Sequence, residues 1–559
     1  MPKTIISNGM PGLHLVLSEM PQLNAPPKDK PLAHRPEDGG QARSQSALPH
    51  RALFVLILAL GIFARTWEFG RLPPGLNPDE ASTGVEALNL LQYGTDRNGI
   101  SYPVKFISWG SGQDVLYAYL LIPLVAALGL SPAVVRLPML AFGILSLPLM
   151  YMVARQLFTA RLALLAMFML AISPWHILLS RWALDSNLFP TLFLAGFACL
   201  LHIRKSGCWF WIACLFFGLC LYSYGTAYAV VPVFLACAIA IVARTRLLAA
   251  RHLVAGITSF AVLATPIALL LIVNRSALSS ISLGPITVPR FPVSVRWETT
   301  TLIGAPDTVV SLISNMWTGA RLLALESDGI LYNVVDPFGY FYRVGLVLAL
   351  GGLILLVHRS RGNFGFEVLL LLAWIGAASI VAILQAVNIN RFNIIFMPLL
   401  ILGACAVDWI QSQHEAAGPA AAFVLAAAFL AFSVTYHGET YRRQADSKFQ
   451  NGLLAALRFA RGVTDGGLCV TDKINMPYIY VLFTEHTSPD AFQASVKYVD
   501  PLQPLQRVAS FGRYTFGSRT CSGAEARTYV LRTDEIPPRL GNRYSYEFFD
   551  RFVVYYPAR

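Results

Sequence analysis

From residue 52 to residue 436 this chain is a succession of apolar runs, each sixteen to twenty-two residues long, joined mostly by short polar links. Inside hydrocarbon a backbone N–H or C=O has no water to bond. A run of this length is stable there when a helix satisfies its own backbone. The runs fall at about 52–67, 134–154, 162–180, 187–203, 208–224, 226–243, 253–273, 341–357, 366–387, 392–410 and 418–436, which predicts about eleven transmembrane helices. Only 13% of residues are charged and 55% are hydrophobic, where a soluble protein carries about a quarter charged. The chain reads as a polytopic α-helical membrane protein.

The flanks differ in character. Residues 1–49 are polar, rich in Pro, Gly, Lys and Arg, and read as a disordered cytoplasmic tail rather than a cleavable signal. Residues 50–437 hold the spans, with a mixed loop rich in Pro, Ser and Thr at 274–340. Beyond Tyr436 the hydropathy falls, and residues 438–559 read as a small α/β domain. KFQNGLLAALRFARG is its amphipathic helix, and GLCVTD, RTYVLRT and FVVYYP are its strand-like runs. The formal charge of +12 is no nucleic-acid signature, because the basic residues sit in links between apolar runs. Zinc-ligand spacing, a P-loop and a dinucleotide fingerprint are all missing from the sequence.

Orientation turns on Val115–Leu130, sixteen apolar residues with Pro123 in the middle, short of the roughly 20 that a span requires. Four links are strongly basic, with Arg155 and Arg161, Arg204 and Lys205, Arg244, Arg246 and Arg251, and Arg359 and Arg361. If Val115–Leu130 crossed, all four would lie outside, against the cytoplasmic bias of Lys and Arg. If it packs against the outer leaflet instead, all four lie inside with the basic tail. The second arrangement is the expectation, and it leaves a large first external loop. It gathers Asp79, Glu80, Arg181, Asp185, the SYGTAY turn, the 274–340 loop, Arg391 and the C-terminal domain on the extracytoplasmic face. There Cys469 and Cys521, the only cysteines of the C-terminal domain, are expected to form a disulfide.

The polar residues of that face define a candidate site. Asp79 and Glu80 follow an Asn-Pro turn in GLNPDEASTGVEALNLLQYGTDRNG. Paired acids beside a membrane span mark a site, although acids behind Pro78 also suit an ordinary helix start. Asp185 is a second acid with a helix-capping alternative. Arg391, Arg181 and Lys105 could hold a phosphate or simply anchor the protein at the interface. Trp109, Gln113, Tyr224 and Tyr228 are candidates for substrate contact.

GLNPDEASTG, followed in order by GTDRNG, SWGSGQDVLYAYL, VRLPML, SPWHILLSRWALDSNLFP and NRFNIIFMPL, resembles the bacterial membrane glycosyltransferases of the protein O-mannosyltransferase and aminoarabinose-transferase superfamily, which share the GT-C fold. The resemblance covers roughly residues 50–440. It implies an inner-membrane enzyme that takes sugar from a polyprenyl phosphate and delivers it to a hydroxyl of an envelope lipid, glycan or protein. It further implies Asp79 as the base with Glu80 beside it, Asp185 as the second acid, and Arg391 near the donor phosphate. A divalent cation held by the acids stays open, and no nucleotide fold is required. A transporter or lipid-sugar flippase is the alternative, and a non-catalytic scaffold is a third reading. The confinement of polar groups to one face, without repeated halves, favours the enzyme.

Overall fold

A computed structural model describes residues 43–293, 307–413, 417–517, 521, 527–537 and 544–558. The tail expected at 1–49 falls outside them except for its last residues, which begin the first helix. Residues 50–559 form one compact unit. The helices before the C-terminal domain are α1 (Arg43–Thr66), α2 (Pro78–Tyr93), α3 (Leu116–Leu128), α4 (Pro132–Leu157), α5 (Ala160–Ile172), α6 (Pro174–Leu179), α7 (Leu188–Leu201), α8 (Cys208–Cys220), α9 (Ala227–Thr245), α10 (Ala250–Arg275), α11 (Thr308–Leu325), α12 (Gly345–Ser360), α13 (Phe366–Leu384), α14 (Ile389–Phe392), α15 (Phe396–Gln413) and α16 (Ala417–Tyr436).

Every predicted apolar run is helical. Among the described residues six helices are long and apolar enough to cross a membrane, or seven if the bent pair at 420–448 is one span. Five more apolar helices, among them α3, α5, α8 and α12, are shorter. The run expected as one helix over 162–180 is broken between α5 and α6. Pro174 has no N–H to continue α5, and Ser173 turns its hydroxyl to the Tyr340 carbonyl at 2.9 Å instead.

α3 is short for a span. Its thirteen residues, like those of α5 and α8, cover about 20 Å at 1.5 Å each, against a core of about 30 Å. What sets α3 apart is where its two ends lie. Leu116 at its start bonds the Tyr222 carbonyl in the turn after α8. Its end leads directly into α4, whose Arg136 pairs with Glu80 in the first turn of α2. Both ends therefore sit at the face that carries the acids. Tyr117 ties the helix down, its hydroxyl donating to the Val135 carbonyl at 2.9 Å.

The 274–340 segment is more ordered than a mixed loop. It contains the hairpin β1 (Ile281–Leu283) and β2 (Ile286–Val288), and the eighteen-residue α11. α11 lies against α13 through small residues, where a Cβ on Gly319 would come within 2.7 Å of Ala382. Asn315 secures the contact by donating to the Ile383 carbonyl at 3.2 Å.

The C-terminal domain holds α17 (Glu439–Lys448), α18 (Leu453–Val463), α19 (Pro477–Glu485) and α20 (Pro489–Ser495). Its strands are β3 (Leu468–Val470), β4 (Lys497–Tyr498), β5 (Val508–Phe511), β6 (Tyr514–Phe516), β7 (Thr528–Arg532), β8 (Tyr544–Phe549) and β9 (Phe552–Pro557). The sheet order is β4-β5-β6-β3-β7-β9-β8, with β3 parallel to both neighbours. GLCVTD, RTYVLRT and FVVYYP supply β3, β7 and β9, and the amphipathic stretch supplies α18, as expected. Cys469 and Cys521 are joined by a disulfide with Cα atoms 6.2 Å apart. The domain docks on α2: Tyr480 donates its hydroxyl to the Leu76 carbonyl at 3.1 Å, and Phe483 lies so close that a Cβ on Gly84 would approach it to 2.8 Å.

Candidate active site

The site begins at the first turn of α2. Gly75 precedes it at φ +68°, and a Cβ there would lie 2.2 Å from the Phe449 carbonyl oxygen, so the turn requires glycine. Asn77 caps the helix, its side chain accepting the Asp79 N–H at 3.0 Å. Glu80 reaches back to accept the Asn77 N–H at 2.9 Å, and Pro78 fills the position that needs no donor.

Glu80 is then consumed. Its Oε1 accepts Arg136 Nε at 2.7 Å and the Ala183 N–H at 2.9 Å, while Oε2 accepts Arg136 Nη2 at 2.8 Å. Both side chains are fully buried. Arg136 also donates to the Pro73 and Gly75 carbonyls, which closes the loop leading into α2. Glu80, expected beside the base as a catalytic acid, is instead a helix cap and ion-pair partner with four donors on its two oxygens.

Asp79 points elsewhere, since successive helical residues diverge by about 100°. It is half-buried and shares an electrostatic neighbourhood with Asp185, Asp114 and Lys105. Asp185 opens the 3-10 turn Asp185–Asn187 and accepts the Ser186 N–H at 2.8 Å. Its other oxygen faces the Asp114 N–H at 3.4 Å. The Asp114 carboxylate accepts Lys105 Nζ at 2.6 Å, and Lys105 also donates to the Tyr228 hydroxyl at 3.3 Å. Burial, then the negative charges of Asp114 and Asp79, push the Asp185 carboxyl up to about 8. Burial opposes the Lys105 ammonium, but Asp114 and Tyr228 more than offset it and hold its pKa above the usual lysine value.

Arg391 stands near this group. It is half-buried on α14, which touches the Asp185–Asn187 turn. Asn393, just beyond, donates to the Ser186 carbonyl at 2.9 Å. Arg391 spends one N–H on the Ala386 carbonyl at 3.0 Å. The short helix itself is anchored by Asp328, which accepts the Ile389 N–H at 2.9 Å.

Other expected contacts are placed differently. Arg181 is fully buried and donates to the carbonyls of Ala64, Arg65 and Leu72, so it caps the end of α1 rather than meeting a phosphate. Gln113 accepts from Ser82 at 2.7 Å and Ser108 at 3.1 Å and donates to Thr83 at 3.2 Å, which locks it into the wall. Trp109 is buried beneath the Arg97 guanidinium, 4.8 Å from its ring centroid, and is closed to a sugar. Tyr224 lies half-buried in the turn between α8 and α9, and Tyr228 meets Lys105. Asp114, which sequence reasoning passed over, lies within SWGSGQD.

Asp79, Glu80 and Asp185 do not fit a divalent cation in this arrangement, because Glu80 has no lone pair to give. Among the described residues no three His, Cys, Asp or Glu side chains converge as metal ligands.

Beside the site lies a second buried charge group. Arg97 pairs with Glu86 at 3.3 Å and donates to Ser82 at 2.8 Å. Asp96 is fully buried and accepts the N–H groups of Asn98 and Ile100, each at 2.9 Å. Burial, then the Glu86 carboxylate, push Asp96 up to about 7. A raised carboxyl pKa favours the protonated form in the folded state. Its contribution to stability is thus complete below the unfolded value of about 3.9 and is lost as pH rises to about 7. Asp96→Asn keeps the Oδ1 acceptor and removes the charge. Its melting temperature is expected to exceed wild type at pH 8 and to differ from it by much less at pH 5. Thermal unfolding of purified protein at both pH values checks this, and equal shifts would contradict it.

A sequence profile described as dolichyl-phosphate-mannose-protein mannosyltransferase matches residues 115–269. No curated protein matches the chain. ArnT from Cupriavidus metallidurans bound to undecaprenyl phosphate is 15% identical over 92% of this chain and 98% of that one, with TM-score 0.55. The apo state of the same protein gives 14% identity, 91% and 98% coverage, and TM-score 0.53. The archaeal oligosaccharyltransferase AglB from Archaeoglobus fulgidus, in complex with an inhibitory peptide and a dolichol-phosphate, gives 13% identity and TM-score 0.49. The match covers 79% of this chain and 64% of AglB.

Proposed function

Because the chain has the GT-C fold of membrane glycosyltransferases, we propose that it moves a sugar from a polyprenyl-phosphate donor to a hydroxyl of a cell-envelope lipid, glycan or protein. The observation that carries the reading is the meeting of Asp79, Asp114, Asp185 and Lys105 at one end of the helices, with Arg391 on an adjoining element. That grouping joins a base to cations suited to a phosphate leaving group.

The reaction is a single displacement. The acceptor hydroxyl gives its proton to the Asp79 carboxylate as its oxygen bonds the anomeric carbon. The bond from that carbon to the phosphate oxygen breaks, and the polyprenyl phosphate leaves with the electron pair. That phosphate needs charge stabilisation more than a proton, and Arg391 with Lys105 supplies it. Asp185, whose raised pKa keeps it protonated near neutrality, limits the negative charge and leaves Asp79 as the acceptor of the proton. The configuration at the anomeric carbon inverts. No step runs through a metal.

A transport path draws no support from the buried cations. Arg65 donates to the carbonyls of Gly61, Leu170 and Ala171 at helix ends and contacts His176 at 2.7 Å, so neither lines a channel. We place the protein in the inner membrane with eleven spans and the acids outside, an orientation supported by the four basic links at the far end. A cysteine at Ser131 is expected to react with an impermeant reagent from outside and one at Thr159 is not; the reverse pattern would turn the site to the cytoplasm. Transfer from a labelled polyprenyl-phosphate sugar to envelope acceptors by the purified protein tests the activity. Failure with pentosyl and hexosyl donors alike, in protein that remains folded, would overturn it.

A further inference from the structure

α4, α7 and α8 bound a recess of about 510 Å³ that opens at the basic link 202–207, a volume typical of ligand sites. α7 forms its floor through Leu192, Ala195 and Cys199. The rims are less covered, Leu145 and Met152 on α4 and Trp209 on α8 being exposed. α7 runs from the Asp185 turn toward Lys205, and α4 from Arg136 toward Arg155. The recess therefore extends along most of α7, from Thr191 to the basic link 202–207, and its lining includes none of the acids.

Its two ends differ in chemistry. The trough is apolar along α7 except for the Thr191 hydroxyl near its inner end, and the mouth carries His202, Lys205 and Trp209. The other charges of that link are already engaged. Arg204 pairs with Glu367 at 3.1 Å. His202 donates from Nδ1 to the Ala198 carbonyl at 2.8 Å and its Nε2 meets the Gln156 amide at 3.2 Å, so both ring nitrogens are engaged. Trp209 packs on that ring with centroids 5.6 Å apart. Lys205 is exposed and makes no ion pair among the described residues. A lone ammonium over an apolar trough, with an interfacial tryptophan beside it, is complementary to an amphiphile with an anionic head and a hydrocarbon chain.

We infer that this recess binds one anionic phospholipid from the leaflet on the side of the basic links, with an acyl chain along α7 and the phosphate on Lys205. The site is separate from the acids, so it stands whether or not sugar transfer is the activity.

Native mass spectrometry of the full-length protein in detergent tests this with added phosphatidylglycerol or phosphatidylcholine. One phosphatidylglycerol per chain is expected to survive, and phosphatidylcholine is not. Lys205→Glu should lower retention roughly tenfold or more by reversing the charge at the mouth. Arg246→Glu, in a different basic link, should leave it unchanged. Ala195→Trp should displace the chain while keeping the charge. Cys199 on the floor gives a readout in the unaltered protein, since its alkylation, followed by peptide mass spectrometry, should slow several-fold when phosphatidylglycerol is added. Equal retention of the two lipids, retention indifferent to Lys205→Glu, or Cys199 alkylation unchanged by lipid would each overturn the site.

Discussion

Asp79→Asn is expected to lower sugar transfer by about 10²–10⁴-fold, the usual cost of losing general acid–base catalysis, while the protein stays folded. Asn keeps the size of the side chain and its hydrogen-bonding capacity and cannot take the acceptor proton. The fold should tolerate it, because Asp79 contributes its backbone N–H to the Asn77 cap, a contact that Asn preserves. Donor binding should hardly change, since the phosphate is assigned to Arg391 and Lys105. Arg391→Ala gives the converse pattern: weaker donor binding, only partly restored in Arg391→Lys, because lysine lacks the planar fork of donors. The assay is transfer from labelled polyprenyl-phosphate sugar, with donor binding measured separately. Near-normal turnover in Asp79→Asn would remove Asp79 from the role of base. Loss of turnover in Asp185→Asn alone would move the role to Asp185, whose carboxyl is raised to about 8.

The second large effect is on folding. Arg136→Ala is expected to destabilise the protein by about 3–5 kcal/mol, the usual result of removing one partner from a buried ion pair. The Glu80 carboxylate would be left charged in a fully buried position, and the Pro73 and Gly75 carbonyls would lose their donor. A sharp fall in melting temperature, or loss of monodisperse protein on size-exclusion chromatography, is the expected outcome. Replacing both partners by apolar residues should recover only part of the loss. Glu80 also satisfies the Asn77 and Ala183 N–H groups, and an apolar side chain cannot. Wild-type stability in Arg136→Ala would mean that Glu80 is not held as a carboxylate, and would return it to the candidate acids.

The two predictions separate neighbours that look alike in the sequence. Asn77-Pro78-Asp79-Glu80 spells a helix start, and the helix starts there with its capping box complete. Which acid belongs to the cap and which to the site depends on Arg136, which lies 56 residues away and clamps both oxygens of Glu80. No local pattern encodes that choice. The same holds for Lys105, Asp114 and Tyr228, joined between the loop before α3 and the start of α9, and for Arg181, whose place under α1 is set by helix packing.

What the sequence determined by itself was the part governed by solvent. Apolar runs must become helices in hydrocarbon, so all eleven are helical, and α3 has both its ends at one face, as expected. The short β-like runs after Tyr436 became strands, and β3, between two parallel neighbours, is buried throughout. The pairing of Cys469 with Cys521 was suggested by their being the only cysteines of the domain, but the 6.2 Å approach of their Cα atoms was decided by the tertiary fold that brings Cys521 beside β3. Tertiary structure alone decided the break at Pro174, the helix α11 inside the long loop, and the allotment of charges between cap and site. These depend on which groups packing brings within hydrogen-bond reach, and a buried charge takes whatever partner that packing supplies.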